Sequence, residues 1–424
     1  MSSDRRVEHV TCLGCGCTCD DLTVVVSNDR ITEVTPACPL GKAWFGDGRV
    51  PGQVMSDGKP VALDLAIERL AEALVAARGR CLVYLGTDLT TEAQRAALSV
   101  ADLVGATVDS ETSDTAANGL ITAQRRGRAA ATLGEVRNRG DVFVFWGVDP
   151  RESYPRFLSR YSVEPVGTQV PDGRHGRHVI AVSVGADAAL EPADSRIELT
   201  ADQEIAVLTL IRAAVLGNPA GAKTKTAQAA GIIAEKLMSA RYAVLVHDAE
   251  PTVEARNPLR AEALIALTQA LNGPTRASLV SLRAGGNRVG GEAVLTWQTG
   301  YPFAVDFTLG YPRYRPERRG RAGIESDRYQ AVLLLGSLPE NSPTFAAVSR
   351  LRPTVIGPRA SQAPFPTSIA IDTGVAGIHD RGTAYRMDEI PLALRSCLAG
   401  PRAAADVLQQ LSRATHRLLQ ARVG

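Results

Sequence analysis

No apolar run in this chain approaches the roughly 20 residues that a membrane-spanning helix needs. The opening stretch MSSDRRVEHV has no apolar segment of the kind a secretory leader carries. Together these absences predict a cytoplasmic protein in which thiols stay reduced. Neither sign of charge is in excess. Lys plus Arg number 47 against 45 Asp plus Glu, and the net +2 gives no overall reason for contact with nucleic acid or a membrane. Two arginine-rich runs, Arg125-Arg126-Gly127-Arg128 and Arg313 to Arg321, read as solvated faces or contacts with other subunits. Aromatic residues are sparse beside the first. Histidine is scarce as well: there are six, and only His175 and His178 lie close together. There is no H-x-H, H-E-x-x-H, G-x-S-x-G or Walker loop, so the usual hydrolase and nucleotide-hydrolysing constellations are excluded. His247, alone after an apolar run, reads as structural, and no catalytic residue is assigned.

Cysteine, by contrast, is concentrated. Five of the seven cysteines fall within the first forty residues, and Cys12, Cys15 and Cys19 stand at C-x2-C-x3-C spacing, with eighteen residues separating Cys19 from Cys38. Turns at Gly14 and Gly16 allow three thiolates to converge. Asp21–Val26 and Arg30–Thr35 read as a hairpin around Ser27-Asn28-Asp29, which returns Cys38 to the first three. Cys12, Cys15, Cys19 and Cys38 are therefore expected to hold one metal centre, either a [4Fe-4S] cluster or zinc. Disulfides or plain buried thiols are the bland alternative. Cys17 is surplus to the spacing.

Beyond this lobe, Gly46 to Pro60 is rich in Gly, Pro and Asp and reads as a linker. Short apolar runs follow at Cys81–Gly86, Val142–Gly147, Val179–Val184, Ala243–Val246 and Ala331–Gly336. Helical periodicity lies between them at Leu63–Ala77, Thr91–Val104, Asp202–Leu216 and Pro258–Leu271. Such alternation predicts an α/β protein with parallel sheets covered on both faces. The chain is expected to divide into a cysteine lobe over 1–50 and two Rossmann-like regions, over 51–240 and 241–424, with their lobes interleaved. Ligands in such sheets sit at the carboxyl ends of strands. That singles out Trp146-Gly147-Val148-Asp149-Pro150, where Asp149 offers acceptors to a base or ribose, and Gly336-Ser337-Leu338-Pro339. Ordinary turn chemistry explains both equally well. The glycine pairs Gly285-Gly286 and Gly290-Gly291 are weak signals for phosphate binding.

A cysteine lobe followed by Rossmann-like lobes resembles the molybdopterin oxidoreductases. Longer motifs narrow the resemblance to the formylmethanofuran dehydrogenase B-subunit family, and they span nearly the whole chain. They are Thr132 to Val136 with Asn138-Arg139, Trp146-Gly147, and Pro155-Arg156 leading to Ser159–Ser162. The most specific is Thr296-Trp297-Gln298-Thr299-Gly300-Tyr301-Pro302 to Phe307, continuing to Gly310–Arg313 and Tyr314. Asp372–Gly377 and Tyr385–Asp388 match as well.

The redox enzymes of that family carry a Cys-His-Gly-Pro segment whose thiolate binds molybdenum or tungsten. The corresponding stretch here, Asp109 to Gly119, reads DSETSDTAANG and holds no cysteine, with Thr115 or a neighbour in its place. A neutral hydroxyl is a poor ligand for a soft metal. Many relatives read Asn-Pro where this chain has Asp149-Pro150, and a carboxylate facing a dinucleotide would repel its phosphates. The resemblance therefore implies the redox-inactive B subunit of a formyltransferase/hydrolase complex, with no molybdenum or tungsten pterin. It further implies an amidohydrolase-like A subunit, a C subunit and a formyltransferase D subunit as partners, in tetrahydromethanopterin-linked oxidation of formaldehyde to formate. There a partner moves the formyl group to a furan-type carrier and the amidohydrolase-like partner hydrolyses it. The competing implication is a working tungsten or molybdenum dehydrogenase with an unusual ligand. Trp297 to Tyr314 has the composition of a buried interface anchor.

Overall fold

A computed structural model describes residues 4–219, 221, 224–250, 257–326 and 329–421. Two compact units emerge, one from Met1–Asp114 with Gly285–Gly424 and one from Thr115–Ala284. These breaks fall elsewhere than the sequence breaks at 50 and 240. The first unit takes strands from both ends of the chain, and sequence patterning carries no signal for which distant strands pair.

In the first unit a nine-stranded sheet has Thr107–Ser110, Cys81–Leu85, Ala331–Leu335, Thr354–Gly357 and Ile369–Asp372 side by side and parallel. Antiparallel pairs complete its edges: Val305–Asp306 with Arg313–Tyr314 on one side, Val54–Ser56 with Lys59–Pro60 on the other. Gly46–Pro60 is therefore not a plain linker, because its second half forms an edge of the sheet. Val54–Ser56 is only three residues long, too short for a period-2 pattern to show.

The strand alternation sorts the core into two layers. Val83, Leu85, Leu333 and Leu335 face the helices Leu63–Ala76, Thr91–Val104 and Ala404–Ala421. Leu82, Tyr84, Val332 and Leu334 face Ile324, Ala347 and Val348. Ala404, Val407, Leu408, Leu411 and Ala414 recur at helical spacing and seat the final helix. Ahead of this sheet, Arg5–Val10, Leu22–Ser27 and Arg30–Thr35 form a three-stranded antiparallel sheet with Leu22–Ser27 in the middle, so the hairpin read from the sequence is present.

The second unit is a five-stranded, wholly parallel sheet. Its spatial order is Ser195–Leu199, His178–Val184, Val142–Trp146, Ala243–Asp248, Ala277–Leu282. Counted along the chain this is 3-2-1-4-5, a doubly wound arrangement. Val144, Trp146, Ile180 and Val182 share one core with the helices Glu204–Val215, Lys225–Ser239 and Arg260–Leu271. Phe143 and Phe145 face the other way, and Phe157 meets Phe145 edge-on.

Candidate functional site

The cysteine loop is built by its own backbone. Cys12 N–H donates to the Cys19 carbonyl at 2.8 Å and Thr18 N–H to the Cys15 carbonyl at 3.1 Å, which folds three cysteines into one turn. Cys38 caps the helix Pro39–Phe45, its sulfur accepting from Gly41 N–H at 3.4 Å, and Gly14 N–H donates to Cys12 Sγ at the same distance. A Cβ on Gly41 would lie 3.5 Å from Cys12 Sγ and 3.8 Å from Cys38 Sγ, so only glycine leaves the space beside both sulfurs open. Burial, then the neighbouring Cys15, Cys19 and Cys38, push the Cys12 thiol far above its ordinary range. Cys17 is fully buried and hydrogen-bonds Cys15, and its thiol is pushed up as well. Among the described residues, no three histidine, cysteine or acidic side chains are set round one point as ligands of a single ion.

Nothing in the sequence pattern signals what holds this loop. A Cβ on Gly285 would stand 2.1 Å from the Leu13 carbonyl oxygen, and Gly286 N–H donates to that same oxygen at 2.9 Å. Met387 N–H donates to the Gly16 carbonyl at 3.0 Å. The Gly285-Gly286 pair thus allows backbone to approach backbone, not a phosphate.

The strand ends of the first unit are similarly occupied. In a doubly wound sheet the ligand crevice opens where neighbouring strands run on in opposite directions, here between Cys81–Leu85 and Ala331–Leu335. The loops leaving these strands are tied together: Thr87 N–H donates to Ser337 O at 2.8 Å, and Ser337 N–H to Thr87 O at 3.0 Å. A Cβ on Gly336 would lie 1.9 Å from Thr87 O. Glycine is required at 336 by this strap.

Next to it, after Thr107–Ser110, comes the stretch where the thiolate is missing. Asp109 is fully buried and accepts from Ser113, from Gly320 N–H at 2.8 Å and from Ala304 N–H at 3.2 Å; burial raises its pKa to about 6. Thr112 Oγ1 donates to Glu292 Oε1 at 2.6 Å, and Glu111 pairs with Arg288 at 2.7 Å. Thr115 ends the short helix Thr112–Thr115. Gly86, Thr87, Gln94, Ser110, Glu111 and Arg288 line a cavity of ≈ 10 Å³, room for one water.

Among the described residues, side chains also cross the Trp146–Pro150 strand end of the second unit. Trp146 Nε1 donates to Glu204 at 2.8 Å, Glu204 meets Arg260, and Arg260 pairs with Asp187 at 2.6 Å. A Cβ on Gly147 would stand 2.8 Å from Asp187 Oδ2. Asp149 is gripped by Arg151 Nε at 3.0 and 2.9 Å from its two oxygens. Tyr154 OH donates to Asp248 Oδ1 at 3.0 Å, between the loops that follow Val142–Trp146 and Ala243–Asp248. His247 bonds Ser281 Oγ at 2.9 Å and His178 bonds Ser195 Oγ at 3.2 Å, both between neighbouring strands.

No family model matches the chain. The B subunit of a tungsten-containing formylmethanofuran dehydrogenase 2 from Methanocaldococcus jannaschii is 32% identical over 413 residues, 94% of this chain and 95% of its own length. The chain belongs to the B-subunit family of formylmethanofuran dehydrogenases. Another member, from Methanococcus maripaludis, is 29% identical over 93% of this chain and 94% of its own length. The B subunit of the formyltransferase/hydrolase complex of Methylorubrum extorquens is 27% identical over 291 residues, 68% of this chain and 75% of its own length. A solved structure of that complex with methylofuran contains a chain matched at a TM-score of 0.72 and 23% identity, over 88% of this chain and 100% of that one. The likeness establishes a shared mixed α/β fold for this member of the B-subunit family. No helix among the described residues is long and apolar enough to cross a membrane.

Proposed function

We propose that this B-subunit relative is a redox-inactive member of a cytoplasmic formyltransferase/hydrolase complex, in tetrahydromethanopterin-linked oxidation of formaldehyde to formate. Its partners are an amidohydrolase-like A subunit, a C subunit and a formyltransferase D subunit, and its own part is to scaffold and line the assembly. The observation that carries the reading is the strand end after Ser110. Where a soft metal needs a thiolate, this chain has a Glu111–Arg288 ion pair and a one-water cavity. Among the described residues, the strand ends where a pterin guanine dinucleotide would sit in the molybdopterin-like reading of the fold are bridged by the chain itself. Thr87 and Ser337 strap one crevice, and Tyr154 and Asp248 meet across the other.

The cysteine loop is the part of the redox scaffold this reading retains. Cys12, Cys15, Cys19 and Cys38 suit a [4Fe-4S] cluster better than zinc. Zinc draws its sulfurs to ≈ 2.3 Å from one point, whereas a cluster spreads them, and the Gly14 and Gly41 N–H groups already donate to sulfur. When bound, a cluster supplies four strong bonds that hold the loop folded. Burial that disfavours free thiolates makes the metal's charge part of the stability of this lobe.

One observation favours a second reading, a working dehydrogenase: the two relatives matched over nearly the whole chain are tungsten-containing. Both readings meet in one assay, in which the purified complex receives formylated carrier and a viologen dye. The scaffold reading expects formyl transfer and hydrolysis without an electron acceptor, no dye reduction, and no stoichiometric molybdenum or tungsten. Sustained dye reduction with either metal bound makes the chain part of a dehydrogenase. Thr115→Cys is expected to leave the dye unreduced, since one thiolate does not open the strapped crevice.

A further inference from the structure

Of the ten large apolar side chains most exposed among the described residues, four come from one fifteen-residue stretch: Trp297, Tyr301, Leu309 and Tyr311. The other six are scattered. The same stretch is anchored from beneath, because Phe303, Val305 and Phe307 are buried and Val305–Asp306 pairs with both Thr107–Ser110 and Arg313–Tyr314. Ring contacts connect the outside to the inside. Tyr301 stacks on Tyr314 at 5.9 Å, Tyr314 meets Phe303 edge-on at 5.9 Å, and Trp297 meets Tyr385 edge-on at 5.5 Å. These exposed aromatics are held in place before anything binds, which lowers the ordering cost of an encounter.

Charge decides what they face. Asp306, with no exposed surface, gathers Arg313 at 2.6 Å, Arg315 at 3.3 Å and Arg318 at 3.4 Å. Glu317 adds one more carboxylate, on Arg315. Arg319 and Arg321 lie beside Asp114, and Arg321 pairs with Glu325 at 3.0 Å. The rim of the aromatic patch thus sets five arginines against four carboxylates, and each of Arg313, Arg315 and Arg318 keeps between 22% and 29% of its side chain exposed. Trp, Tyr and Arg are the residues that dominate interface energetics, and Arg recognises carboxylate with directed, paired bonds.

We infer that the surface formed by Trp297, Tyr301, Leu309, Tyr311 and the Arg313–Arg321 run docks a protein partner that presents carboxylates around an apolar insert. This rests on the reading of the chain as one component of a larger complex, and it names the face that does the docking. A membrane is not its occupant: the apolar side chains stand on a short hairpin and a helix end, not along one amphipathic helix that could lie in a lipid surface.

The test uses the full chain and purified A, C and D subunits of the complex from the same organism. Binding to each is measured with the native chain and with Leu309→Ser, Tyr311→Ser and Arg321→Glu, three exposed positions outside the core and the cysteine loop. Melting curves matching the native chain certify that each variant is folded. The inference expects one of the three to bind the native chain and to lose roughly tenfold or more in affinity with Tyr311→Ser. Arg321→Glu and rising salt weaken the same contact. If the partners assemble with native chain and variants equally well, the docking face is wrong while the reading as part of a complex stands. If the native chain binds none of them, that reading falls with it. Variant-sensitive self-association, or variant-sensitive binding of a single-stranded RNA probe in the absence of the partners, overturns the occupant proposed here.

Discussion

Glu111 and Arg288 meet at 2.7 Å across the end of the Thr107–Ser110 strand, each side chain retaining little more than a tenth of its exposure. Burying two charges there is costly, and each partner offsets part of that cost for the other. Glu111→Ala removes an ion-pair partner from a buried guanidinium and is expected to cost about 2–3 kcal/mol. Combining Glu111→Gln with Arg288→Met should cost less than the two single changes summed, by about 1 kcal/mol or more. Urea unfolding of the four proteins checks this. Strict additivity would show that the pair does not fill the cavity as a unit.

Gly336 and Gly300 both have positive φ, at 75° and 85°, yet they predict different losses. A methyl on Gly300 meets nothing within 4 Å, so Gly300→Ala costs about 1 kcal/mol of backbone strain. One on Gly336 would run into Thr87 O and break the strap, at about 3 kcal/mol or more. Comparison of melting temperatures should place Gly336→Ala well below Gly300→Ala. Equal values would mean that the Thr87–Ser337 strap contributes nothing.

How much of this was legible beforehand divides along physical lines. The Cys81–Leu85, Val142–Trp146 and Ala331–Leu335 strands were visible because strands buried on both faces read as unbroken apolar runs. The cysteine spacing was visible because it is local. The roles of Gly285, Gly336 and Gly147 were not, since each is fixed by a segment at least forty residues away in the chain: Leu13, Thr87 and Asp187. A glycine in sequence says that something comes close. It does not say whether that something is a ligand or the chain itself.

The cysteine loop separates ligand from bystander. Cys38→Ser is expected to remove iron and sulfide from the purified protein, along with absorbance at roughly 400 nm. Cys17→Ala should keep both, since Cys17 is fully buried and stands outside the four-thiolate spacing. Elemental analysis with a visible spectrum decides it. Zinc without iron in the native protein would move the assignment to a structural zinc site, and neither metal would refute it.

Asp380 sets a pH dependence of known sign. Burial, then repulsion from Asp406, raises its pKa to about 6, against roughly 3.9 in an unfolded chain. The fold therefore prefers the protonated acid. Its contribution is complete below about pH 4 and is lost as pH rises through 6. Asp380→Asn keeps a neutral group that can still accept from Ala404 N–H, a bond of 3.2 Å in the native protein. Relative to the native chain the variant should gain stability between pH 4 and 6 and stay level above about 7. Asp109, raised to about 6 as well, is present in both proteins and cancels in the difference. A difference that does not change with pH would refute the assignment.

The strand pair at the centre of the first unit has a cost in time. Cys81–Leu85 hydrogen-bonds to Ala331–Leu335, and between residues 110 and 331 the chain makes the whole second unit. At about 5–20 residues per second a ribosome needs roughly 10–45 s to cover that stretch. Throughout that interval Leu82, Val83 and Tyr84 have left the ribosome without their neighbour, while every strand of the Val142–Trp146 sheet becomes available in one continuous run. The amino-terminal unit begins first and is finished last. During synthesis its half-built sheet is the part of the protein that most needs a chaperone.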